Sequence, residues 1–191
     1  VAYEDLREVD QYMYMKLQDL IDTVRKAYDK YDFASVYHAV NNFVSSDLSS
    51  FYLDIAKDVV YIEGHDQLHR RAMQTVMYDT LVSLLKLTTP ILPHTTDELW
   101  VFLTQETEES VQLTDFPEAT THESFEALRT KYQQLMLVRD DVLKALEEAR
   151  NAKTIGKSLE AKVTVYVKKE LLEAFDTTKI DFAQFFIVSD F

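Results

Sequence analysis

The sequence predicts a mainly α-helical bundle that gives way, after about residue 150, to a small α/β piece. Three observations lead there. Two glycines and three prolines in 191 residues leave few points for turning, which favours long helices over many strands. Apolar residues recur at steps of three and four through most of the chain, the period of one helix face. Near residue 161 that step shortens to two, the period of a strand. With 47% hydrophobic and 28% charged residues, the chain has material for one sizeable core and is not a disordered composition.

From Glu4 to about Lys30, the residues Leu6, Val9, Met13, Leu17, Leu20, Val24 and Ala27 trace one amphipathic face. Asp32 is a candidate cap for a second helix with inner face Phe33, Val36, Val40, Phe43 and Val44. Ser45-Ser46-Asp47 reads as an interruption, followed by a short helical stretch from Ser49 to Lys57, and Gly64 breaks the chain. Asp66 is expected to open the most apolar helix, through Leu68, Ala72, Met73, Val76, Met77, Leu81 and Leu84 to about Thr88. Pro90 and Pro93 end it, and a short helix restarts through Trp100. Residues 105–120 are acidic and read as a loop. The next helix, about 123–150, carries Phe125, Leu128, Tyr132, Leu135, Val142, Leu146 and Ala149. Beyond it, 161–167 alternates as a strand, Leu171 to Phe175 reads as a short helix, and Phe185 to Val188 as a second strand. The predicted organisation is a helical bundle over 1–150, then the start of an α/β module over 151–191, expected to be cut short at Phe191. The first residue, Val1, reads as a cut from a longer protein.

Composition excludes much chemistry. Glycine occurs only at positions 64 and 156, so neither a Walker A loop nor a dinucleotide glycine fingerprint fits. Without cysteine there is no disulfide framework and no thiolate metal site. No catalytic constellation is evident, no cofactor is expected in this chain, and the absence of a long apolar run or signal-like start points to a cytoplasmic protein with no membrane contact. His65 and His69 could share a helix face, but no third ligand accompanies them, and a solvated helix start is the simpler reading with no metal.

The formal net charge of −13 opposes nucleic-acid binding if taken alone. The distribution is uneven, however. Between Asn151 and Lys169 stand Lys153, Lys157, Lys162, Lys168 and Lys169 against a single acid, Glu160, and His69-Arg70-Arg71 forms a second basic spot. At about 100° per residue, Arg70, Arg71, Gln74 and Tyr78 share one helix sector. Two guanidiniums, an amide and a phenol there could meet phosphate, base edge and base plane. On the residues alone, a solvated face paired to nearby acids is the simpler reading. Phe51 and Tyr52 suggest a stacking platform for unpaired bases, although aromatics at helical spacing more often serve the core. Lys153 to Ser158 could offer amides and lysines to phosphate, or simply make a tight connection.

Several runs carry a family resemblance. Phe51-Tyr52-Leu53-Asp54-Ile55-Ala56-Lys57-Asp58, Arg70-Arg71 with Gln74-Thr75, and Pro90-Ile91-Leu92-Pro93 followed by Thr96-Asp97-Glu98-Leu99-Trp100 resemble class I isoleucyl-tRNA synthetases, in order and spacing. So do Ser110 to Pro117 and Ile155 to Ala161. The likeness covers essentially the whole chain and is strongest to the Gram-positive bacterial form. The first and third signals are shared with valyl and related synthetases, whereas Ile155-Gly156-Lys157-Ser158-Leu159-Glu160-Ala161 favours the isoleucyl branch.

The resemblance implies the anticodon-binding helical bundle of class I synthetases, whose partners are the anticodon arm of tRNA(Ile) and the catalytic and editing domains of a parent chain. ATP use, and zinc in many bacterial members, belong to other parts of such a parent. The His-Ile-Gly-His and Lys-Met-Ser-Lys-Ser signatures of its catalytic domain do not occur here. Within the resemblance, Arg70, Arg71 and Gln74 are the first candidates for tRNA contact, with Phe51, Asn41, Asn42, Lys153 and Lys157 as further ones. An acidic helical domain that binds protein and not RNA is the alternative. The two differ in what the basic residues do: converge on one face, or disperse into ion pairs.

Overall fold

The structure is a computed structural model that describes residues 1–103, 105–169 and 179–191. Its elements are α1 (Glu8–Tyr28), α2 (Phe33–Asn42), a π-helix (Phe43–Tyr52), α3 (Leu53–Ile62), α4 (Leu68–Thr88), α5 (Pro93–Trp100), α6 (Phe125–Asn151) and α7 (Phe182–Phe186). Short 3-10 turns lie at Tyr3–Asp5, Val111–Leu113 and Ser158–Glu160. No helix among the described residues is long and apolar enough to cross a membrane.

Helix α1 is central, packing against α2, α4, the π-helix and α6. The stripe read from the sequence faces inward: Met13, Leu17, Leu20, Val24 and Ala27 are all buried. Being covered on several sides, α1 also buries polar residues, and each finds a partner. Asp10 accepts from Tyr52 Oη at 2.8 Å and from Arg7 Nε at 3.4 Å. Gln18 Oε1 accepts from the Thr120 amide at 2.9 Å, which fastens the 105–120 loop to the bundle. Tyr12 and Tyr132 stack with centroids 4.0 Å apart and bind α6 across it.

Asp32 caps α2 as expected, accepting from the Ser35 amide at 3.0 Å. Phe33 stays exposed, its ring meeting Tyr28 at an edge rather than entering the core. The predicted interruption at 45–47 is absent. Residues 33–62 instead form one helical rod whose middle ten residues widen into a π-helix. Ser45 Oγ donates to the Asn41 carbonyl at 2.7 Å, and Ser50 Oγ to the Ser45 carbonyl at 2.5 Å. These local serine bonds, which make such a run resemble a break, here sit on a continuous helix. The widened turns bring Phe43, Phe51 and Tyr52 all to the core side.

The carboxy-terminal strand-helix-strand reading is corrected. Residues 161–167 are not helical, and Ala161, Val163 and Val165 do turn onto the core, but among the described residues there is no ladder, only an isolated parallel bridge between Lys162 and Asp190. The expected strand at 185–188 is helix α7. Asp181 caps it by accepting from the Gln184 amide at 3.1 Å, and Phe182, Phe185 and Phe186 bury one face at helical spacing. Ile187, at φ 57°, ends it in the left-handed region. The predicted helix from Leu171 to Phe175 lies outside the described residues.

The rod, α1, α4, α6 and α7 share one core. At its junction Arg139 of α6 is only 3% exposed. Its Nε donates to the Phe185 carbonyl at 3.0 Å and its Nη2 to the Ser50 carbonyl at 3.3 Å, with the guanidinium 5.2 Å from the Phe51 ring centre. Burial lowers its pKa. A separate small cluster joins Leu85, Trp100 and Val111, where Trp100 Nε1 donates to the Glu108 carbonyl at 2.9 Å.

Two predictions follow from this packing. Removing the guanidinium in Arg139→Ala strands two carbonyls and unlinks α6, α7 and the π-helix. We expect a loss of about 3 kcal/mol in urea unfolding followed by helical circular dichroism; a loss within error would refute the junction role. The second concerns pH. Burial raises the Asp10 carboxyl above the usual carboxylate range, against the opposing pull of Arg7 and Tyr52. An acid whose pKa is raised on folding binds protons more tightly in the folded state, so its contribution to stability falls as pH rises from the ordinary value through the folded one. Asp10→Asn removes that titration, and its stability relative to the parent should rise with pH across this window; a difference independent of pH would contradict the assignment.

Candidate nucleic-acid interface

The bend between α3 and α4 carries one of the two basic spots singled out in the sequence, His69-Arg70-Arg71. Helix α3 closes where the Glu63 amide donates to the Val59 carbonyl at 3.0 Å and Glu63 itself becomes extended. Gly64 turns the chain, the Gln67 amide donating to its carbonyl at 3.1 Å. Helix α4 then starts at Leu68 behind an extended Gln67, with no side-chain cap, so Asp66, expected to open the helix, lies just ahead of it.

Arg70 and Arg71 diverge. Arg70 is half-buried and turns back to α3, its Nε donating to the Val60 carbonyl at 3.1 Å and its Nη1 to His65 Nδ1. A guanidinium cannot accept, so the imidazole nitrogen is the acceptor. Arg70 is thus a clamp on the end of α3. Arg71 is exposed, and its side chain has no ion pair or hydrogen bond among the described residues. His69 faces Glu63 at 3.6 Å, so the two histidines of this bend have separate partners.

Arg71, Gln74 and Tyr78 do share a surface. They line a groove of about 870 Å3 whose other wall includes Leu48, Leu53 and Val60 of the rod. Tyr78 donates to Glu106 at 2.8 Å, and burial together with that carboxylate pushes its hydroxyl pKa up to about 12. Of the four residues placed in one sector by helix geometry, three line one groove and Arg70 leaves it.

The remaining candidates lie elsewhere. Phe51 is 1% exposed, edge-on to Tyr12 and Phe185 and beneath Arg139, so no face is left for a base. Tyr52 is fully buried, which makes the pair a core element rather than a platform. Asn41 and Asn42 are exposed at the end of α2. Lys153 is exposed at φ 57° in the turn after α6. Lys157 is exposed too, but the loop around it is already filled: Glu160 Oε2 accepts the Gly156 and Lys157 amides at 2.8 and 3.2 Å. Those two bonds hold the Glu160 carboxyl below its ordinary value. The amides are therefore spent on a tight connection, and only the lysine side chains remain for an anion.

Among the described residues, some basic side chains are engaged by carboxylates, Lys162 of the 151–169 run among them, and others are not, Lys30, Lys86 and Lys144 as well as four of the candidates. Lys26 pairs with Asp22, Lys57 with Asp54, Arg129 with Asp19, Lys131 with Glu8 and Arg150 with Glu147. Arg70, Arg71, Lys153 and Lys157 have no carboxylate partner within salt-bridge distance among the described residues. One exposed group at the bend escaped the sequence reading. Tyr61, Ile62 and Leu68 stand in solvent beside Arg70 and Arg71. The signal was available, since Tyr61 lies on the outer face of α3 with Asp54, Lys57 and Asp58.

Comparison with known proteins supplies the family. The model of the anticodon-binding domain of tRNA ligases matches residues 10–165. Isoleucine–tRNA ligase of Bacillus mycoides (strain KBAB4) is 59% identical over all 191 residues, and those of Bacillus cereus (strain B4264) and Bacillus anthracis (strain CDC 684 / NRRL 3495) are 58% identical over the same length. In each case the chain is covered completely but spans only 21% of the relative's length. With a bundle of this architecture, and with most of its length matched, the chain belongs to the anticodon-binding domain family of tRNA ligases.

Proposed function

We propose that this chain docks the anticodon arm of isoleucine-accepting tRNA for an isoleucine–tRNA ligase of which it is one part, in the cytoplasm. The observation that carries the reading is the unpaired Arg71 beside Gln74 in a groove between α4 and the rod. On this reading Arg71 meets phosphate, Gln74 reads a base edge, and Arg70 holds the bend in shape. Asn41, Asn42, Lys153 and Lys157, exposed away from the groove, are further contacts for a larger RNA, with residues 1–150 forming the binding bundle and 151–191, whose α7 packs on that bundle, leading to the next part of the parent. Phe51 acts from within, as packing. The chain performs no chemistry itself. Anticodon bases are unpaired and can be read by stacking and edge contacts, and the binding energy is used to align the far end of the tRNA with a catalytic site on another domain.

ATP, and zinc where a parent carries it, belong to those other domains. The residues here fit neither, having no glycine-rich phosphate loop and, among the described residues, no cluster that could hold a metal ion. The protein-binding alternative requires the basic residues to be dispersed into pairs with acids; Arg71 has no such pair among the described residues, although Asp79 lines the same groove and Asp58 and Asp66 stand exposed at the bend.

The test is a titration of the chain with isoleucine-accepting tRNA and with a tRNA of unrelated anticodon, at two salt concentrations. We expect tighter binding to the first, weakening with salt. Arg71→Ala should lower the slope of log affinity against log salt by about one while leaving stability within about 0.5 kcal/mol. Arg70→Ala should cost about 1 kcal/mol of stability through its lost bond to the Val60 carbonyl. Equal binding to both tRNAs would overturn anticodon reading by this surface. No binding even at low salt would overturn the docking role.

A further inference from the structure

We propose that Tyr61 is the platform on which an unpaired nucleotide of the bound RNA stacks, with Ile62 and Leu68 as its apolar surround. The inference rests on the RNA-docking reading above and gives it a residue that neither the sequence motifs nor the groove supplied. Tyr61 is 85% exposed, Ile62 78% and Leu68 55%. Three large apolar side chains thus stand uncovered around one bend, where a soluble surface usually has polar residues.

The position is built rather than loose. Ile55, Ala56 and Val59 bury the inner face of α3, which leaves Tyr61 on the outer face in its last turn. Among the described residues its ring has no aromatic neighbour and its hydroxyl no hydrogen bond. The backbone beneath it is held by Arg70, whose guanidinium binds the carbonyl of Val60, the preceding residue, and also His65. A ring with a free face is therefore presented from a clamped helix end.

An apolar patch alone fits many partners, and the neighbouring cations select among them. Arg71 lines one groove with Val60, next to Tyr61 in the chain, and has no carboxylate partner among the described residues. The Arg70 charge is met by a carbonyl and an imidazole rather than by an acid. Glu63 is turned to His69. An aromatic face for the base, with a free guanidinium, that of Arg71, for a neighbouring phosphate, is a combination that holds single-stranded nucleic acid. Asp58 and Asp66 are also exposed at this bend, so local attraction has to come from stacking more than from net charge. With Phe51 and Tyr52 buried, Tyr61 takes the part that the sequence had suggested for them.

The test uses an anticodon-arm hairpin of isoleucine-accepting tRNA with the fluorescent base 2-aminopurine in its loop, and a blunt duplex of the same stem. The unsubstituted chain, Tyr61→Ala and Tyr61→Phe are each titrated with both. Tyr61→Ala should bind the hairpin about tenfold more weakly, bind the duplex unchanged and lose the fluorescence change on binding, while Tyr61→Phe keeps all three. The side chain is exposed, so folding is not at stake. If Tyr61→Ala binds the hairpin like the parent with the same fluorescence change, or weakens hairpin and duplex alike, the stacking role is overturned and RNA docking stands. If the unsubstituted chain binds neither RNA, the docking reading itself fails and takes this one with it.

Discussion

The architecture depends on one cation placed where cations are rarely found. Arg139 sits in the core, and its acceptors there are main-chain carbonyls, one at the end of the π-helix and one in α7. A guanidinium taken out of water has to recover its hydration from fixed dipoles and ring faces. Phe51 and Phe185 supply the faces, at 5.2 and 6.0 Å. The requirement acts in both directions. The arginine is tolerable only if the rod and α7 arrive in register, and they stay in register because the arginine needs both. Asp10 repeats the logic on α1 with the opposite charge, met by Tyr52 from the rod and by Arg7 just ahead of its own first turn.

This core is what allows the α3–α4 bend to be stiff while most of its side chains remain in solvent. Phe51, Tyr52, Ile55 and Val59 anchor the rod, and α4 is anchored by Ala72, Met73 and Val76. The bend between them then needs only Gly64 for the turn and Arg70 for the clamp. Two adjacent arginines do different work as a result: one is consumed in making the shape, and its neighbour is left over. An acidic protein can in this way keep a cation available on one surface, because its neighbour and not the cation itself is used to hold the bend.

The features legible in the sequence are those set by local physics. The α1 stripe, the Asp32 cap, the prolines after α4 and the length of α6 all follow from period and punctuation. The illegible ones needed a partner to be known. Ser45-Ser46-Asp47 has the composition of a break, and only the packing of Phe43, Phe51 and Tyr52 on α1 explains why it winds into a π-helix instead. Residues 161–167 have the alternation of a strand and keep its facing, yet pairing is a property of two segments, and the described neighbour contributes a single bridge. Phe185 to Val188 looked β-like because the window left out Asp181 and Phe182, which make the segment helical. The site divides in the same way. Helix angles alone gathered Arg71, Gln74 and Tyr78, whereas the inward turn of Arg70 and the burial of Phe51 depend on what stands opposite them.

The satellite cluster has a consequence for anyone watching this molecule by light. Its only tryptophan, Trp100, lies outside the main core, packed with Leu85 and Val111 under Lys86. Intrinsic indole emission therefore reports on the α4–α5 corner, while the far-ultraviolet signal is dominated by the bundle. Agreement between the two probes during unfolding would mean that corner and bundle melt as one cooperative unit. An earlier change in emission would mark the corner as a separate unit of lower stability, opening while the rod and its clamped bend remain intact.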